Sequence, residues 1–220
     1  MLGMVFHHFL SRIRALFIWR PSTVEESRER AVEAFWILND FVGDLIGATR
    51  AFEYFDTATF KAGATNQVLR IWNKMADSFL FVALAKWIEF YDRYQVLIPA
   101  ELRRECEQLR NELDKRGVRE FRNKVVGHIW SKKHGRPLLP EEIEDLELKI
   151  TKGDAKAFLR WINDPNNNRL GSTVVGTSEA VRDAIKEKWS FSEQDLSAKV
   201  LTANPTVNPA PRNSTARGSP

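Results

Sequence analysis

Residues 66–96 read NQVLRIWNKMADSFLFVALAKWIEFYDRYQV, and this stretch decides the fold. Its middle is apolar nearly all round: Phe79, Leu80, Phe81, Val82, Leu84, Trp87 and Ile88. A helix without a continuous polar face is one that other helices surround, so the sequence places it centrally in a bundle. Upstream, Ala31, Ala34, Phe35, Leu38, Phe41, Val42, Leu45, Phe52 and Phe55 keep the helical period over a second long segment. Thr23 with Glu26 three residues on forms a capping box before it, and Gly43 and Gly47 weaken it locally. The stretch from Thr57 to Thr65 reads as a connection.

Downstream, Pro99 opens a helix whose seam is Leu102, Cys106, Leu109 and Leu113, and Gly117 stops it. The next helix is expected from Val118 to about Lys133, ended by Gly135 and Pro137. Two short helices follow. One begins at Pro140 with an acidic, solvated face of Glu141, Glu142, Glu144 and Asp145; the other is capped by Asp154 and presents Phe158, Leu159, Trp161 and Ile162. Asp164 to Gly176 is Asn- and Gly-rich and reads as a loop, with a last helix from Ser178 to Trp189. No alternating pattern persists anywhere. The expected fold class is all-α, an up-and-down helical bundle with additional short C-terminal helices.

Three units are expected. Residues 1–20 form an amphipathic helix with Val5, Phe6, Phe9, Leu10, Ile13, Leu16 and Phe17 on one stripe and Ser11, Arg12 and Arg14 off it. That segment lacks a basic start and a small-residue cleavage site, so it reads as retained and packed on the bundle. Residues 22–189 form the helical domain. Residues 190–220 form a disordered tail, because Pro205, Pro209, Pro211 and Pro220 sit among small polar residues with little apolar surface to offset ordering entropy.

Composition narrows the function classes. Hydrophobic residues make up 43%, including seven Trp and fourteen Phe, which is enough for a core. The 33 basic and 29 acidic residues mostly interleave, and the net charge of +4 permits contact with nucleic acid or an anionic surface without demanding it. A lone cysteine, Cys106, excludes an intramolecular disulfide and any paired-cysteine zinc site; it reads as a small buried hydrophobe and fits a reducing, cytoplasmic location. No run approaches the ~18 apolar residues that span a bilayer. No phosphate-binding loop, dinucleotide fingerprint, zinc-protease motif or nucleophile elbow is present.

The stretch that carries chemistry is Glu120-Phe121-Arg122-Asn123-Lys124-Val125-Val126-Gly127-His128. Arginine, a polar neighbour, and histidine after five intervening residues resemble the signature motif of the HEPN superfamily, in which four to six residues separate the Arg and the His. The resemblance covers the bundle and is anchored on Arg122, Asn123 and His128. It implies an all-helical fold, a homodimer and a metal-independent ribonuclease with no cofactor, as in toxins and abortive-infection factors against phage, with an antitoxin protein as a further partner. It also implies Arg122, Asn123 and His128 as the catalytic set. Lys124, Lys132, Lys133 and His134 are the candidate contacts to RNA, the last three as a small basic patch at a helix end.

The residue types suit the chemistry. A histidine near neutral pKa can take the proton of a ribose 2′-hydroxyl, and an arginine can meet charge growing on phosphoryl oxygens with a planar, permanently charged fork. At about 100° per residue from Phe121, an α-helix puts Val125 near 40°, Arg122 near 100° and His128 near −20°, flanking one apolar stripe, with Asn123 nearly opposite. The other reading of the same residues is structural: Arg122 paired with Glu120, Glu101 or another surface acid, His128 satisfied in the core, and the chain a non-catalytic module that binds a protein partner or a membrane surface.

Overall fold

The computed structural model describes residues 24–128, 130–131, 135–192 and 195–196. The expected helix at 1–20 and the tail from residue 197 onward lie outside the described residues, as do Lys132, Lys133 and His134. The described chain is all-α: α1 (Val24–Phe55), α2 (Ala58–Gly63), α3 (Asn66–Tyr94), a 3₁₀ turn (Ala100–Leu102), α4 (Arg103–Arg116), α5 (Val118–Phe121), a π-helical turn (Arg122–His128), α6 (Pro140–Thr151), α7 (Ala155–Ile162) and α8 (Val174–Lys188). The short α2 stands where a bare connection was expected; Thr57 caps it by accepting the Phe60 N–H.

α1 and α3 pack antiparallel. Arg30 at one end of α1 donates to the Arg93 carbonyl at 3.1 Å, Lys86 meets Asp44 midway at 3.0 Å, and Phe55 at the far end lies 5.1 Å from Trp72. α8 lies along another side of α1, which therefore sits between the other two long helices. Leu38, Leu45, Leu80, Leu84, Trp87, Ile88, Leu113, Phe121, Ile162 and Ile185 fill the interior. The stretch expected to be surrounded is only partly so: Leu80, Leu84, Trp87 and Ile88 are buried, but Phe79 is 63% exposed.

Arg116 joins the smaller helices. Its guanidinium donates to the Ile150 carbonyl at 2.6 Å, pairs with Glu112 at 2.8 Å and lies 4.4 Å over the Trp161 ring, so α4, α6 and α7 meet on one side chain. The packed unit also extends past the expected boundary at 189: Phe191 is buried against Phe35, and Asp195 holds Arg28 in a bidentate pair at 2.7 Å.

The Asn-rich connection before α8 is a clamp rather than a bare loop. Asn163, buried, donates to the Thr49 hydroxyl of α1 at 2.9 Å and accepts from Asn168 at 2.9 Å. The Asn168 side-chain oxygen takes the Asp164 N–H and the Thr173 hydroxyl, and Thr173 in turn caps α8 through the Gly176 N–H at 2.9 Å. This cap starts α8 at Val174, four residues before the expected Ser178. Asn168→Ala leaves the buried Asn163 carbonyl and the Asp164 N–H without partners, so it is expected to lower unfolding stability by about 2–3 kcal/mol in denaturant titration.

Candidate active site

Gly117 sets the motif on its course. At φ +84° it ends α4, donating to the Leu113 and Asp114 carbonyls, and the chain leaves along a new axis. Val118 and Phe121 are buried on α5, with the Phe121 ring 4.3 Å from Phe81 of α3. From Arg122 the winding widens to a π-helical turn that lasts to His128. The expected helix to Lys133 is thus replaced. After His128, Trp130–Ser131 pairs antiparallel with Arg136–Pro137, and Gly135, at φ +61°, leads into the second of these two-residue strands.

The wider winding has a packing cause. In an α-helix Val126 lies about 140° from Phe121 and turns away from the core. An i→i+5 ladder advances roughly 80° per residue, which puts Val125 and Val126 within about 40° on either side of Phe121. Both valines are half-buried and packed against the core, as this winding requires. The same arithmetic corrects the expected faces. Taking Arg122 as zero, position 123 falls near 80° and position 128 near 120°, with Lys124 near 160° and the valines at about 240° and 320°. Position 128 therefore moves to the side opposite the apolar anchor, beside Asn123, while Arg122, about 40° from Val126, still borders the anchor. Asn123 and Lys124 are exposed and Arg122 is half-buried. The His128 side chain lies outside the described residues.

Arg122 does not pair with Glu120 or Glu101. Its guanidinium donates to Glu89 of α3, and Glu120 instead takes Lys124 at 2.6 Å and Lys149 at 3.3 Å. Those two hydrogen-bonded cations hold the Glu120 carboxyl below its ordinary range. Beside this, Arg119 bonds Asp92, which also takes Arg110 at 3.1 Å. Arg122 and Glu89 are both substantially open to water, and such a pair contributes only about 0–1 kcal/mol. A phosphate oxygen can therefore displace or share the guanidinium at little loss. Glu89 is the partner of Arg122 that sequence reasoning missed; it lies thirty-three positions upstream on another helix. Of the expected RNA contacts, Lys124 is tied to Glu120, and the neighbouring Arg136 is held by Glu142 at 2.8 and 3.2 Å.

A second feature lies at the other end of the bundle. Phe52, Phe55, Leu69, Asp77, Lys156, Leu159 and Arg160 are among the residues lining an open cavity of about 610 Å³. Burial pushes the Asp77 carboxyl up to about 7, with the nearby Glu147 adding to the effect. Cys106 is fully buried, and burial raises its thiol to about 12, so it acts as a hydrophobe. Among the described residues no group of three His, Cys, Asp or Glu side chains is placed to hold a metal ion, and no helix is long and apolar enough to cross a membrane.

No protein-family model matches the chain. No curated protein matches it. It is similar in structure to the integron cassette protein Vpc_cass2 from the mobile metagenome of V. paracholerae, with a TM-score of 0.58 and 21% identity. The match covers 76% of this chain and 99% of that one, so what the two share is the helical fold of the described bundle.

Proposed function

We propose that the chain is a HEPN-like, metal-independent endoribonuclease that acts as a homodimer, in the role of a toxin or abortive-infection factor. The observation that supports this reading is the π-helical turn Arg122–His128, which Val125 and Val126 anchor to the core. π turns are rare and occur disproportionately at functional sites. In this scheme His128 takes the proton from a ribose 2′-hydroxyl, the oxygen attacks the adjacent phosphorus, and the P–O5′ bond breaks. The leaving oxygen receives a proton from the second copy's histidine. Arg122, released from Glu89, meets the charge on the phosphoryl oxygens, and Asn123 positions the backbone of the substrate. The products are a 2′,3′-cyclic phosphate and a 5′-hydroxyl. RNA and a second copy of the chain are the partners this requires, with an antitoxin protein as its neutraliser in a cytoplasmic setting.

The test is cleavage of single-stranded RNA in EDTA by the purified chain, with the cyclic phosphate identified by mass. His128→Ala and Arg122→Ala are each expected to lose about 100-fold or more while keeping wild-type circular dichroism. Mixing the two inactive variants under subunit exchange is expected to restore part of the activity, since one intact copy of each residue completes a shared site. An inert wild type on varied RNA, or a His128→Ala variant as active as wild type, overturns the reading. The exposed apolar positions of α3 favour the second reading, a helical interaction module, which predicts no cleavage.

A further inference from the structure

Phe52 and Phe55 of α1, Leu69 of α3 and Leu159 of α7 form the apolar wall of the open cavity of about 610 Å³. That volume lies within the roughly 300–1,000 Å³ of small-molecule sites, which combine apolar walls with a few placed polar groups. Ring contacts hold the wall: Phe55 stands 5.0 Å from Phe60 and 5.1 Å from Trp72. Asp77 also lines the cavity. It is half-buried and, among the described residues, makes no hydrogen bond or ion pair. The charged groups around it are Glu53 and Asp56 of α1, Lys61 of α2, Glu147 of α6, and Lys156 and Arg160 of α7. Lys61 is bonded to Asp56, and Lys156 and Arg160 are exposed. Burial, and then Glu147, hold the Asp77 proton up to about 7. Asp77 lies twelve residues before Glu89 on α3, about 18 Å along the axis, so the cavity is separate from the turn that carries Arg122.

We propose that this cavity binds a small organic amine, its protonated nitrogen paired with Asp77 and its apolar body against Phe52, Phe55, Leu69 and Leu159. The walls and the carboxyl together select that class. A purely apolar molecule takes the Asp77 carboxyl further out of water without giving it a partner, which opposes binding. An organic anion has to leave its charge at the mouth with Lys156 and Arg160, and its body then covers Asp77 in the same unpartnered way. A divalent cation needs more oxygens than Asp77 and Glu147 supply, and among the described residues no group of three such side chains is placed to hold one. A neutral donor satisfies Asp77 but leaves its charge beside Glu147, whereas an ammonium offsets both. The ammonium takes the place of the proton that Asp77 otherwise keeps, so binding near neutral pH releases that proton to the solvent. This inference is independent of the catalytic proposal.

The experiment is calorimetric titration of the full chain with 2-phenylethylamine near neutral pH, in two buffers of different ionisation enthalpy. The amine, with a pKa near ~10 like that of lysine, is itself protonated there. It is expected to bind at least about tenfold more tightly than 2-phenylethanol or 3-phenylpropionate, which match it in size. About half a proton is expected to leave per amine bound, because Asp77 is about half protonated at that pH. Asp77→Asn is expected to weaken binding about tenfold or more and to abolish the proton release, while melting no lower than wild type. Proton release by the wild type needs no variant, so that readout stands whatever the substitution does to the fold. No binding at millimolar amine, equal affinities for the three probes, or wild-type affinity in Asp77→Asn each overturns the proposal. Release that persists in Asp77→Asn moves the pairing to Glu147 and overturns it as well. Tighter binding of 3-phenylpropionate than of the amine gives the cavity to an anion held by Lys156 and Arg160, and the assignment to amines falls.

Discussion

Gly176→Ala is expected to destabilise the protein by about 3 kcal/mol or more, the upper end of what overpacking does. A Cβ at position 176 would stand 2.4 Å from the Arg169 nitrogen, 2.6 Å from the Arg169 oxygen and 2.7 Å from the Asn168 carbonyl carbon. All three are backbone atoms, so no side-chain rotation relieves the contact. Nor can the loop retreat freely. Asn168 is fastened to Asn163 and Thr173, and the Arg169 N–H is held by Ser172 at 2.9 Å. Moving it away from α8 breaks the clamp that also joins α1 through Thr49. In a domain of this size the melting temperature should fall by roughly 10 °C. Gly43→Ala is the matched control: nothing lies within 4 Å of its added Cβ, and it is expected to stabilise α1 by up to about 1 kcal/mol. Scanning calorimetry on both variants reads the contrast; equal melting temperatures would show that the loop gives way.

The second large effect is electrostatic. Asp77 holds its proton up to about pH 7, whereas in the unfolded chain it releases it near pH 3.9. Between those values the native state binds the extra proton, so unfolding stability falls as pH rises from about 4 to about 7 and levels off above. Glu147, itself raised by burial and then by Glu144, adds to the slope in the same direction. Asp77→Asn removes the charge that must be created in the half-buried site. The variant is expected to match wild type near pH 4 and exceed it at pH 8, by at most ~4 kcal/mol before the screening that the open cavity supplies. Denaturant unfolding at pH 4, 6 and 8 measures it. Parallel pH profiles for the two proteins would show that Asp77 ionises normally.

What could be read from sequence was what local rules govern. The helical seam Cys106, Leu109 and Leu113 is buried as its spacing required, Gly117 ends its helix in the left-handed conformation, and Asp154 caps α7 by accepting the Ala157 N–H. What could not be read depends on distant partners. The Asn-rich stretch has loop composition, and only Thr49, more than a hundred positions away, turns it into a clamp. Glu89 meets Arg122 because α3 and α5 pack together, which no periodicity encodes. The π turn was hidden for a related reason. Its residues read as an ordinary helix until Phe121 is fixed against Phe81 and both following valines must reach the same core.

That turn bears on how such a motif should be aligned between sequences. Six steps of roughly 80° separate Arg122 from His128 and bring them about 120° apart. Five steps of an ordinary α-helix, at 100° each, bring two residues about 140° apart on the same side. A relative with one residue fewer between its arginine and histidine would thus present nearly the same pair from an unwidened helix. A one-residue gap at this place in an alignment is geometrically almost silent. Deleting Val126 should preserve the orientation of the pair while giving up one core contact, whereas inserting a residue into an already straight helix would swing the histidine out of the sector.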